Sequence, residues 1–356
     1  METFCRLSAV GADKINTDLD VFIIAETGAL YAYGNNYSIL LGLGDNQHRS
    51  ALTRMPLEES AKTVINGSIS VFVLTVSGAL YACGNNVYGQ LGLAEDDGEL
   101  ELQRVPLKES VRAVELKHSS TYVLAVNGDL YTCGSNFYGQ LGLGDNEDRS
   151  LLTKVPLKES VKTVVAGYNS TYFLTVNGEL YACGYNSFGQ LGLGDNQDRS
   201  RFTKVPLEES VKTVVSIDLS SFFLTRSGVL YACGSNYYGQ FGLGDNSDQS
   251  TLRKVPIEES VKAVAIGIGY AFILTVGGAL YACGYNRYGQ LGLGDNSDRS
   301  IFTKVPLDES VKNVSTGYNS TYVTTVSGAV YACGCNWSGS LGVGDSQDRS
   351  ILTRTL

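Results

Sequence analysis

The sequence predicts an all-β fold, a seven-bladed β-propeller with four antiparallel strands in each blade. Three observations carry that expectation. A tyrosine preceded by Leu or Val returns at Tyr31, Tyr81, Tyr131, Tyr181, Tyr231, Tyr281 and Tyr331, so the chain repeats every 50 residues without insertion. Each copy holds short runs of β-branched and aromatic residues separated by glycine-rich turns. No window sustains a 3.6-residue apolar period, so no helix is expected. Four-stranded units repeated seven times bury both faces of every sheet against neighbouring sheets, which is how a propeller forms its core.

The fourth copy serves to read the elements in order. "SVKTVVA" (160–166) is a β-branched run and the first strand, A; "TYFLTV" (171–176) is the aromatic strand B. Asn177-Gly178 makes a hairpin turn into strand C, "ELYAC" (179–183). In that strand Leu180 and Ala182 point to one face while Tyr181 and Cys183 point to the other, and both pairs are apolar. The loop "GYNSFGQLGLGDNQDRS" follows, then strand D, "RFTKV" (201–205), and Pro206 turns the chain toward the next copy.

No composition shift or linker interrupts the copies, so residues 1–356 read as one domain. Its repeat phase is 15–64, 65–114, 115–164, 165–214, 215–264, 265–314 and 315–356, with 1–14 before it. "ILTRTL" (351–356) resembles strand D and is expected to complete the last blade, leaving "METFCR" (1–6) beside it or loose.

The chain is 43% hydrophobic and 18% charged, which fits a substantial core. Its formal charge of −9 argues against nucleic acid and against an anionic membrane surface as partners. No basic segment leading into an apolar run opens the sequence, and no stretch reaches the roughly 18 apolar residues of a membrane span. Cys83, Cys133, Cys183, Cys233, Cys283 and Cys333 recur at one-repeat intervals, too far apart for disulfides that need Cα atoms within about 7 Å. They read as buried thiols of a reducing compartment, cytoplasmic or nuclear.

The repeat "LT-x-x-G-x-[LV]-Y-x-x-G-x-N-x-x-G-Q-L-G-L-G-D", closing on "VP", resembles that of the regulator of chromosome condensation family, over essentially the whole chain. The resemblance implies a seven-bladed propeller. Family members include exchange factors for the Ran GTPase, chromatin binders, a UV-B photoreceptor and an inhibitor of β-lactamases, so it does not choose a function. Two departures narrow the range. Where the family carries Trp this chain has "YAC", and where it carries His before strand B this chain has Ser, with Asp20 and Tyr270 as exceptions. Trp337 is the sole tryptophan, which excludes light sensing by a tryptophan cluster.

Positions that hold blades together should recur, whereas positions facing a partner are free to differ. Two segments differ between copies. One follows strand A, as in "VAGYNS" (165–170), "VSIDLS" (215–220), "AIGIGY" (265–270) and "STGYNS" (315–320). The other opens the C–D loop, where the residue after the strand-ending glycine is Asn35, Asn85, Ser135, Tyr185, Ser235, Tyr285 and Cys335. Two residues on stand Tyr37, Val87, Phe137, Ser187, Tyr237, Arg287 and Trp337. Because strands alternate in direction, both segments emerge at the same end of each sheet. Tyr168, Tyr185, Asp218, Tyr237, Tyr270, Tyr285, Arg287, Tyr318 and Trp337 are therefore the expected partner-binding residues, since aromatics and arginine anchor protein interfaces. Asp18, Asp20 and Asp218 would add a negative sector there. "LAEDDGELELQR" (93–104), with Glu95, Asp96, Asp97, Glu99 and Glu101, breaks the repeat as an acidic edge.

No catalytic set emerges. His48 and His118 lack neighbours at zinc-ligand spacing, and Cys333 with Cys335 supplies two ligands at most. "GQLGLGDN" has neither the lysine nor the following helix of a phosphate loop, and "DNQD" lacks the terminal glutamate of a calcium loop. No metal site and no cofactor are expected. The expectation is a monomeric, non-catalytic propeller that binds a partner protein through its A–B/C–D loops. The alternatives are guanine-nucleotide exchange on a Ran-like or other small GTPase, which needs no covalent residue, and inhibition of an enzyme by aromatic loops.

Overall fold

The computed structural model describes residues 4–10, 20–36, 40–94 and 99–355. These residues form seven four-stranded sheets, each with its strands in chain order, and contain no helix. The architecture is the all-β, seven-bladed propeller. In the fourth sheet the strands are Val161–Ala166, Ser170–Thr175, Leu180–Gly184 and Arg199–Lys204, within two residues of the sequence expectation.

Two compact units divide the chain. One comprises residues 1–176, 182–184 and 199–203, the other 177–181, 185–198 and 204–356. The second unit contains the last three sheets whole. Sheet 5 is β17 (Val211–Ile217), β18 (Ser220–Thr225), β19 (Leu230–Gly234) and β20 (Gln249–Lys254). Sheet 6 is β21 (Val261–Gly267), β22 (Tyr270–Thr275), β23 (Leu280–Gly284) and β24 (Arg299–Lys304). Sheet 7 is β25 (Val311–Thr316), β26 (Ser320–Thr325), β27 (Val330–Gly334) and β28 (Arg349–Arg354).

In sheets 5 and 6 strand B is buried along its whole length, on both faces, whereas β26 of sheet 7 is fully buried only at alternate residues. Phe222, Leu224, Phe241, Ile266, Ala271 and Ile273 form one core cluster between sheets 5 and 6, and Phe272, Leu274, Leu291, Val314 and Val323 form the next between sheets 6 and 7. Burying each of these larger side chains contributes about 1.5–3 kcal/mol. Within the second unit the chain also steps from sheet to sheet through single bridges, Leu243 to Ile301 and Leu293 to Ile351. The recurring cysteines are free, buried thiols that donate to the preceding sheet: Cys233 Sγ to Gln190 O at 3.1 Å and Cys283 Sγ to Gln240 O at 3.0 Å. Burial raises the thiol of Cys333 to about 12, so these groups stay protonated at neutral pH.

The termini depart from the expectation on one side only. Arg349–Arg354 pairs with β27 and completes the last sheet as strand D. The N-terminal stretch is not loose: Phe4–Val10 (β1) is strand A of the first sheet, paired antiparallel with β2 (Asp20–Ala25) from Phe4 opposite Ala25 to Val10 opposite Asp20. The physical reason lies in propensity. "GADKIN" (11–16) stands where the repeat phase would put strand A, but its Gly, Asp, Lys and Asn are poor strand formers, whereas "FCRLSAV" is apolar at most positions. Of the predicted features, Asp18, Tyr37, Glu95, Asp96 and Asp97 lie outside the described residues, as does the side chain of Glu99.

Candidate functional site: an aromatic loop surface on the last three sheets

The A–B and C–D loops of sheets 5, 6 and 7 are fastened to one another by backbone. The amide following the strand-ending glycine donates to an A–B loop carbonyl: Ser235 N to Leu219 O, Tyr285 N to Gly269 O and Cys335 N to Asn319 O, all at 2.9 Å. Only glycine permits this approach. Gly234 has φ +104°, and a Cβ there would lie 2.1 Å from Leu219 O. The two divergent segments are therefore one structural surface in each sheet.

A second recurring device holds the C–D loop open toward solvent. Asn236 Oδ1 accepts the Phe241 amide at 2.9 Å, its Nδ2 reaches Asp245 O at 2.9 Å, and its own amide donates to Asp248 Oδ1 at 2.8 Å. Asn286 and Asn336 repeat the pattern with Asp298 and Asp348. The asparagines are fully buried, so the residue after each is thrust outward on a rigid base. Tyr237 is 70% and Trp337 64% exposed at that position, with Arg287 between them in sequence and exposed as well.

These side chains join into a continuous aromatic run. Tyr237 packs edge-on to Tyr238 at 4.9 Å between ring centroids, and Tyr238 reaches Tyr285 of the next sheet at 4.8 Å. Tyr285 meets Tyr288 at 6.4 Å, and Tyr288 meets Trp337 of sheet 7 at 5.8 Å. Gly269 makes the first crossing possible, because a Cβ there would stand 2.5 Å from the Tyr238 ring. Between sheets 5 and 6 the run lines a cleft of about 650 Å³ with Asn246, Arg287 and Asp298. Burial pushes the Tyr285 phenol above its ordinary value; the charge of Arg287 opposes the shift, and Tyr288, Tyr238 and Asp298 add to it. An aromatic wall beside a guanidinium and a carboxylate suits recognition of a polar polypeptide surface. Among the described residues no group of three His, Cys, Asp or Glu side chains is placed to hold a metal ion, and no helix is long and apolar enough to cross a membrane.

With fold and surface in view, the comparisons are informative. The family model for the RCC1-like domain matches residues 29–355. The chain belongs to the RCC1-like domain family. Among solved structures, human WBSCR16 is 22% identical, with 92% of this chain and 94% of that chain covered and a TM-score of 0.72. Yeast RCC1 (Prp20), solved bound to Kap60, is 20% identical over 92% of this chain and 83% of that chain, TM-score 0.68. Prp20p of Saccharomyces cerevisiae, described with its binding properties to Gsp1p and histones, is 21% identical over 92% and 85%, also at 0.68. At these identities the likeness shows the fold. No curated protein matches the chain significantly.

In this RCC1-like chain eight of the nine expected partner-binding residues divide into three groups. Tyr237, Tyr285, Arg287 and Trp337 belong to the aromatic run or its cleft. Tyr185, Asp218 and Tyr318 lie elsewhere on the loops of the second unit. Tyr185 is half-buried against Phe188 at 6.3 Å, Asp218 is exposed with φ +54°, and Tyr318 is 71% exposed. Tyr168, in the first unit, is 40% exposed and packs edge-on to His118 at 4.7 Å.

Tyr270 is a correction. It is 1% exposed, and its hydroxyl donates to Gly317 O and Ser320 O, each at 2.9 Å. Burial pushes its phenol upward, so it remains a neutral donor and unreachable by a partner. Gly267 makes the room: a Cβ there would fall 2.1 Å from the Tyr270 ring. Asp20 is a second correction, since it is 7% exposed and accepts the Asn36 amide at 2.9 Å rather than facing solvent. Conversely Tyr238, Tyr288, Asn246 and Asp298 complete the surface although their positions recur. Recurrence marked them as scaffold; the glycine at 269 was the signal that an aromatic ring passes close by.

Proposed function

We propose that this RCC1-like propeller is a non-catalytic module that binds a partner protein through the A–B and C–D loops of sheets 5 to 7. The observation that carries the reading is the unbroken aromatic run from Tyr237 to Trp337 with Arg287 in the cleft beside it. Rigid, half-exposed tyrosine and tryptophan rings lose little conformational entropy on contact and exclude water over a broad area, which makes them frequent anchors. The recurring thiols are buried one repeat apart, a placement that suits a reducing compartment.

Affinity capture with the wild-type chain and with Tyr237→Ala/Tyr285→Ala/Trp337→Ala tests it. Each anchor truncation is expected to cost about 2 kcal/mol of binding, so the triple variant loses capture altogether. Its melting temperature should stay within a few degrees of wild type, because these side chains lie outside the sheet cores. Undiminished capture by a folded triple variant would move the interface elsewhere.

A second reading, nucleotide exchange on a small GTPase, is favoured by family membership and by the description of Prp20p with its binding properties to Gsp1p. Release of fluorescent GDP from a panel of purified small GTPases distinguishes the two. Acceleration for one of them that is lost in the triple variant supports exchange; none across the panel leaves binding alone.

A further inference from the structure

The C–D loop of sheet 5 lacks an internal ion pair that the loops of four other sheets carry. In sheets 1, 3, 6 and 7 an aspartate of the C–D loop pairs with an arginine four residues on. Arg49–Asp45, Arg149–Asp145, Arg299–Asp295 and Arg349–Asp345 close at 2.7, 2.6, 2.6 and 2.5 Å, always Nη2 to Oδ2. The other end of each guanidinium, Nη1, donates to the carbonyl midway between the two residues: Gln47 O at 2.9 Å, Glu147 O at 2.7 Å, Ser297 O at 2.8 Å and Gln347 O at 2.9 Å. The loop is thus shaped to receive a planar, two-pronged donor.

Sheet 5 retains the aspartate and the carbonyl but carries Gln249 in place of the arginine. The glutamine amide takes Ser247 O at 2.9 Å. Asp245 Oδ1 accepts Ser247 N at 2.9 Å and a long contact from Asn236 at 3.5 Å. Among the described residues nothing reaches Oδ2, the oxygen that arginine takes in sheets 1, 3, 6 and 7. The residue that follows, Asn246, lines the cleft walled by Tyr237, Tyr238 and Tyr285. The sheet 5 loop, which carries no guanidinium of its own, thus borders the aromatic cleft.

We propose that this position receives an arginine side chain from the partner protein, which supplies in trans the guanidinium that the sister loops carry in cis. The inference rests on the protein-binding reading above and names the chemistry of the partner: a segment with an exposed arginine, drawn to a chain of net charge −9. Arginine rather than lysine follows from the geometry, since two acceptors set by one loop match a fork and not a point charge. The adjoining tyrosine faces cover the rest of the planar group.

The probe is Nα-acetyl-arginine amide, titrated into the isotopically labelled full chain and followed through the backbone amide resonances of Ser247 and Gln249. Saturable shifts are expected with the arginine derivative, at least about fivefold weaker binding with the lysine derivative, and no shifts with the citrulline derivative. Gln249→Arg restores the sister-loop pair and should abolish the shifts while preserving the fold; Asp245→Asn should abolish them by removing the carboxylate charge and turning one acceptor oxygen into a donor. Equal shifts with citrulline, or shifts that survive in either folded variant, overturn the proposal. The two readings fail separately. Capture kept by Gln249→Arg but lost by the aromatic triple variant overturns the arginine and spares the interface; capture kept by the triple variant overturns the interface itself.

Discussion

The two ends of sheets 5 to 7 are built on opposite terms. At the B–C end the same contacts return: Glu209 accepts from Ser227 at 2.6 Å and from Tyr231 at 2.8 Å, and Glu309 accepts from Ser327 and from Tyr331 at 2.7 Å. Sheet 6 retains the Tyr281–Glu259 bond at 2.6 Å although Gly277 replaces the serine. At the A–B/C–D end the backbone bonds return just as faithfully, but the side chains they present do not: Ser235, Tyr285 and Cys335 occupy one position, Tyr237, Arg287 and Trp337 another. One end spends its side chains on internal bonds. The other holds its loops by main chain and by the buried Asn236, Asn286 and Asn336, and leaves the divergent side chains available.

That contrast can be broken most forcefully at the fastening itself. Gly234→Ala places a methyl group 2.1 Å from the Leu219 carbonyl at a left-handed φ, so it should destabilise the chain by about 2–4 kcal/mol in urea unfolding. Partner capture should fall with it, because both loops shift together. A variant with unchanged stability would mean that the fastening is dispensable.

Tyr270→Phe sharpens the comparison from within the divergent segment. Removing the hydroxyl takes that donor from the partly buried Gly317 and Ser320 carbonyls, of which Ser320 O keeps the Gly317 amide, at a cost of about 1 kcal/mol. Capture at a temperature where the variant is folded should match wild type. A loss of capture with unchanged stability would return Tyr270 to the interface.

The smallest effect belongs to the monotonous end. Hydrogen bonds, from Ser227 and Ser327 foremost and then from Tyr231 and Tyr331, hold the Glu209 and Glu309 carboxyls below their ordinary range. A depressed folded value means that the unfolded chain takes up the proton first as acid is added. Their contribution is therefore complete above the unfolded value of about 4.3 and drains away as pH falls through the folded one. Melting temperature measured from pH 7 to pH 3 should drop below about pH 4. Glu209→Gln/Glu309→Gln should begin lower at pH 7 and show a flatter acid limb, with capture unaffected. Both glutamates are only partly buried, so the change is modest.

The strands were legible because their cause is local and repeated. Every 50 residues the same alternation and a turn closed by glycine reappear, with a buried cysteine from the second copy onward, and seven readings of one pattern correct each other. The first strand A was not legible, since copy one lacks the pattern there and a displaced segment, Phe4–Val10, pairs instead. The candidate surface was legible in part. Divergence between copies pointed to Tyr237, Arg287 and Trp337, but divergence alone does not say whether a ring turns out or in. Tyr270 turns in because Gly267 clears a space for it and two carbonyls of the next sheet lie within reach of its hydroxyl, facts about a neighbour that its own position does not carry. Tyr238 and Tyr288 escaped notice for the converse reason: a recurring residue can serve the scaffold in one copy and the surface in another.

The amide-to-carbonyl fastening at Ser235, Tyr285 and Cys335 also bears on how such a chain can change over generations. A hairpin tied to its neighbour by main chain tolerates a new letter far better than an extra one, since lengthening either hairpin would tear the knot they share. Variety of spelling with constancy of count, which the copies display from the second onward, is the trace that such a knot leaves behind.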